Sequence, residues 1–192
     1  MTFRGKALAL IASIWCTLVP ATANALQFAE YASFDNWRIY KAEGNQAFGC
    51  SLVTYAQEDD VYLTITISLN SGTLGMVLGS PSWDWVVPKQ KYAVNNEFDS
   101  NGIWEHTMVG AAPSMLLVQA YPSDRLATWM SEFVSGNKLV FAYTTEILAT
   151  IELAGSRKAV KVWTDCVRTE ADQMPKRSGN TINVKEGRNE QM

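Results

Sequence analysis

Few residues in this 192-residue chain have the types and spacing that chemistry needs, and His106 is the first to weigh because it is the only histidine. A serine triad would require it as general base, but no Gly-x-Ser-x-Gly turn is present. His106 lies in the alternating run from Ile103 to Val109, which predicts an ordinary surface position on a strand. Paired carboxylates occur at Asp59 and Asp60 and at Glu97 and Asp99, the inventory a small glycan hydrolase would use. Turn chemistry accounts for both pairs, since Glu58-Asp59-Asp60 precedes a strand and Asp99-Ser100-Asn101-Gly102 has hairpin-loop composition. The latter also lacks the glutamate that would close a calcium loop. Cys50, Cys166 and one histidine, at unrelated spacings, predict no metal site, and no glycine-rich loop opens a helix to hold a nucleotide, so no cofactor and no catalytic residue is expected.

Tryptophan is the residue that stands out. Trp129 and Trp163 fall on helical stripes and read as core. Trp83 and Trp85 are two apart with Asp84 between them, so on a strand they share a face. Buried, that face packs; exposed, it is a candidate aromatic binding face for a sugar ring or a partner protein, the basis of a carbohydrate-binding alternative. Burial is the usual fate of large aromatics in a chain of this size.

The N-terminus has the order of a cleavable signal peptide: Arg4 and Lys6, an apolar run from Ala7 to Val19, Pro20, then Ala23-Asn24-Ala25. The run has about 13 residues, short of the roughly 20 a spanning helix needs. Cleavage is expected after Ala25, with Ala23 as the near alternative. Loss of residues 1–25 removes two positive charges and no acid, taking the net charge from −3 to −5. An acidic product argues against nucleic-acid partners and against a polybasic grip on lipid. Cys16 leaves with the leader, and the even pair that remains, Cys50 and Cys166, predicts a disulfide in an oxidising compartment. The expected location is therefore periplasmic or secreted, with no transmembrane segment after cleavage.

The elements that must position these residues are mostly strands. Val61, Leu63, Ile65 and Ile67 alternate with Tyr62, Thr64, Thr66 and Ser68, the clearest half-buried strand in the chain. Similar runs follow Trp37 and Cys50, contain Met76 and Trp83–Val87, span Lys91–Phe98 and Ile103–Val109, and recur from Met115, Lys138 and Ile147. Two helices interrupt them. Leu126, Trp129, Met130, Phe133 and Val134 make an amphipathic stripe with Ser123 or Asp124 as cap and Gly136 as stop, predicting a helix over about 123–135. Ala159, Val160, Trp163, Cys166 and Val167 make a second, over about 156–168, with Ser156 as its cap and Cys166 on its buried side. The expectation is one mainly β domain, residues 26–168, an antiparallel β-sandwich or barrel-like fold with two packed α-helices. Residues 169–192 read as a disordered polar tail.

The order of landmarks resembles the exported bacterial proteins grouped with invasion-associated locus B: Trp37 opening a strand, Cys50-Ser51-Leu52-Val53 in the next, a helix carrying Trp129, paired strands, and a closing helix from Gly155 and Ser156 with Ala159 inside. That family's pattern has further cysteines, which this chain lacks. The resemblance implies a periplasmic or surface β-rich domain linked to host association, and it transfers no site residue. The function expected is thus an exported, non-enzymatic domain that binds an envelope or host macromolecule.

Overall fold

The computed structural model describes residues 28–42, 48–69, 73–99, 101–118 and 123–173. The expected leader with its expected cleavage site, and residues 174–192 of the expected tail, lie outside them. The chain runs through strands β1 (Phe28–Phe34), β2 (Trp37–Ala42), β3 (Phe48–Ala56), β4 (Val61–Ser68) and β5 (Leu74–Gly79). It continues through β6 (Lys91–Phe98), β7 (Ile103–Ala112), β8 (Met115–Val118) and helix α1 (Ser123–Ser135), then β9 (Lys138–Tyr143), β10 (Glu146–Glu152) and helix α2 (Ser156–Gln173). The protein is mainly β, as its alternating patterns require.

The ten strands among the described residues join one antiparallel sheet in the order β1-β2-β3-β4-β5-β8-β7-β6-β9-β10. It is a single sheet, so the barrel-like expectation describes it better than two stacked layers. Coiling is visible in the packing of α1. Phe133 meets Trp37 of β2 at 5.4 Å and Phe98 of β6 at 6.5 Å, although those strands are far apart in the sheet order. A flat sheet could not bring both to one helix; twist accumulated over many strands can. The curl also draws β10 alongside β3 without a hydrogen-bonded ladder between them.

Helix α2 lies over β1, β2 and β3, which explains why its stripe is apolar. The expected disulfide is present: Cys50 of β3 and Cys166 of α2 are bonded, both buried, 116 residues apart in the chain. Trp163 Nε1 donates to the Cys50 carbonyl at 3.0 Å, so the same strand residue anchors the helix twice.

Three local readings are corrected. Residues 83–87 form an irregular loop with a turn at 84–85, not a strand. Pro81 and Pro88 supply no N–H for a ladder, and the Val87 N–H goes to the Tyr92 hydroxyl at 2.7 Å instead. This loop crosses Gly110, where a side chain would collide with the Val87 carbonyl. Second, α2 runs to Gln173, so 169–173 are helix rather than tail. Glu170 sustains the extra turn by pairing with Lys41 at 2.7 Å. Third, Ser156 does not cap its own helix. It is buried, and its hydroxyl donates to the Phe133 carbonyl of α1 at 3.1 Å. Gly155 instead opens α2, accepting from the Ala159 N–H at a φ of 81° that suits glycine.

Candidate functional site

His106 is half-buried under α1, because the alternation of β7 turns Trp104, His106 and Met108 to the inner side. The surface position expected for it is therefore wrong. Its Nε2 bonds to Asn96 Oδ1, which also accepts from Trp129 Nε1 at 3.3 Å. An amide oxygen can only accept, so His106 carries its proton on Nε2. Arg125 sits over the Trp104 ring at 4.8 Å, and Trp104 Nε1 donates to Glu132 at 2.8 Å, which completes a polar seal between α1 and the sheet. Burial, and then the positive charge of Arg125, push the His106 pKa down to about 4. In an unfolded chain it titrates near 6.5. The unfolded state then binds more protons between those values, so stability present above pH 6.5 is lost as pH falls toward 4. We expect the loss to be about 2 kcal/mol after allowing for solvent screening. Denaturant unfolding at pH 7 and pH 4.5 should show it in the native protein and not in His106→Gln; equal losses would refute the assignment.

Trp83 is 6% exposed and Trp85 is half-buried, so of the pair only Trp85 reaches solvent. Trp85 packs parallel to Tyr143 and edge-on to Tyr92, both with centroids 5.5 Å away. Trp85 holds the 80–90 loop on β6 and β9, Trp83 packs against Trp85 at 5.5 Å, and the two do not form a strand face.

The carboxylates are mainly engaged with backbone. Asp99 accepts from the N–H groups of Asn137 and Lys138 at 2.7 and 2.8 Å, closing the link after α1, and those bonds hold its pKa below the usual carboxylate range. Asp60 accepts from the Tyr55 hydroxyl. Asp59 Oδ2 accepts from the Thr150 N–H of β10 at 2.7 Å, a contact between residues 91 apart in the chain. Glu97 is half-buried on β6.

That Asp59 contact lies at the place where the coiled sheet fails to close. Strand β2 begins at Trp37, opposite Thr54, so Tyr55 and Ala56 of β3 project past it toward β10. A cleft of about 320 Å³ remains between them, lined by Asn36, by Thr54 to Asp59, by Lys138 and by Thr150 to Glu152. Tyr55 is 45% exposed, and its hydroxyl is held by Asp60, a bond that raises its pKa. Lys138 and Glu152 pair across the neighbouring strands at 3.2 Å. Of the four acids singled out from the sequence, only Asp59 lines the cleft; Asp60, Glu97 and Asp99 do not. Asn36, Tyr55, Gln57, Lys138 and Glu152 were not singled out, since they come together only when the sheet coils.

Among the described residues no group of three or more His, Cys, Asp or Glu side chains could hold a metal ion, and no helix is long and apolar enough to cross a membrane. Compared with protein-family models, curated proteins and solved structures, the chain matches none.

Proposed function

We propose that the chain is an exported domain of the bacterial envelope, periplasmic or secreted, that binds another macromolecule through the cleft between β3 and β10 and performs no catalysis. The observation carrying this is the built character of the cleft: an exposed ring, Tyr55, fixed by Asp60 over walls of hydrogen-bonding side chains. A side chain already restrained loses less entropy when a partner docks. The Cys50–Cys166 disulfide supports export, because such bonds persist where the surroundings are oxidising. The signal-like N-terminus and the resemblance to the invasion-associated locus B group support the same compartment and a host-facing or envelope-facing partner. A non-catalytic role is favoured because Asp59 is committed to a backbone N–H and Glu152 to Lys138.

Co-sedimentation of the oxidised protein with isolated envelope material tests the reading. The native protein should pellet with it, and Tyr55→Ala should bind at least about tenfold more weakly, a difference of 1.4 kcal/mol. Equal binding by the two, or none by either, would sink the proposal.

A further inference from the structure

Resting on that reading of the cleft, we infer that its occupant is a saccharide, one or two rings of an envelope glycan, seated against the Tyr55 ring. Four observations lead there. The cavity, about 320 Å³, stands at the low end of the roughly 300–1,000 Å³ that drug-sized ligands occupy. Its walls are polar where small-molecule sites are mostly apolar, so the ligand must carry many hydrogen-bonding groups. Tyr55 supplies the single aromatic face in the lining, and a pyranose has one apolar C–H face and a rim of hydroxyls to match such a combination. Asn36, Gln57 and Glu58 offer planar amide and carboxylate groups that can each meet adjacent hydroxyls.

The same walls disfavour the other classes. Phosphate or nucleic acid would face Glu58, Asp59 and Glu152 with one cation, Lys138, which Glu152 already pairs. An extended peptide would dock by adding a strand to the β10 edge. The Thr150 N–H points away from β9 and is the donor such a strand would need, but Asp59 takes it. Asp59 thereby blocks strand addition at the Thr150 position of that edge, while the side-chain cleft beside it stays open.

Titration of the full oxidised chain, isotope-labelled, with the β-1,4-linked trimer of N-acetylglucosamine gives the test. Saturable amide shifts are expected in Tyr55–Asp59 and Thr150–Glu152 below about 10 mM, the range of a weak single-site interaction. Tyr55→Ala should weaken binding at least about tenfold, Gln57→Ala severalfold, and Tyr55→Trp should retain it. No saturable shift, or shifts centred on Trp85 and Tyr143, would overturn the inference. Binding of a lysine-containing tetrapeptide at the cleft in place of the sugar would also overturn it. If the sugar fails while envelope co-sedimentation still depends on Tyr55, the saccharide assignment falls and the macromolecule-binding reading stands.

Discussion

Cys166→Ala is expected to lower the unfolding free energy by about 4–5 kcal/mol, since the bond it removes closes a loop of about 116 residues in the unfolded chain. Few single changes should matter more. The helix that Cys166 sits on is otherwise tied to the sheet by its apolar stripe, by Trp163 and by the Lys41–Glu170 pair. Those contacts are made after folding and do nothing to restrict the unfolded ensemble. Denaturant unfolding should therefore show a lower midpoint and a steeper dependence on denaturant, because an uncrosslinked unfolded chain exposes more surface. The Cys50→Ala/Cys166→Ala double variant should behave like the single one, which separates loss of the bridge from the presence of a lone buried thiol. Coincident unfolding curves for oxidised and reduced protein would show that the bridge contributes nothing.

Trp129→Ala is the second large effect, an expected loss of about 3–5 kcal/mol. Trp129 is fully buried, stacks on Phe133 at 5.2 Å and meets Phe98 edge-on at 5.4 Å. Its ring is the wedge that lets α1 fill the inside of the coiled sheet. Removing it leaves a cavity between elements joined only through side chains, and it takes away one of the donors to Asn96, a residue whose Nδ2 is already buried without a hydrogen bond. For a domain of this size the loss corresponds to a fall in melting temperature of roughly 10 °C or more. Trp129→Phe, which keeps most of the packing and loses the N–H, should cost less than half as much. A melt unchanged by Trp129→Ala would mean that α1 is not held by this ring.

Elements with strong local periodicity were legible in the amino-acid order. Val61–Ser68 alternates because one face of β4 is buried, and both helices show their stripes because each packs on one side. The sandwich-or-barrel choice was not legible, because it depends on which strands end up beside each other. The run from Met115 reads only as one more short strand, yet β8 joins β5 to β7 and so ties the two halves of the sheet together. Trp83–Val87 misled because apolar residues in alternation are the mark of a strand, and here prolines and the Tyr92 hydroxyl overrode it. The extra turn of α2 was hidden in polar composition: Glu170 is polar but packed against Gly49, whose missing side chain makes room for it. The cleft was least legible of all. Asp59 looked like a turn residue and is one, but its partner at Thr150 is set by the curl of the whole sheet.

The separation of Cys50 from Cys166 also sets an order of events in time. At about 5–20 residues per second, a ribosome needs on the order of 6–20 s to make the chain between them. Cys50 therefore waits for its partner while seven of the ten described strands are still to be made, and that partner arrives on the last described helix. The bridge cannot form until every described strand has been synthesised. Until then Cys50 is an unpaired thiol, open to whatever oxidant or partner cysteine it meets first.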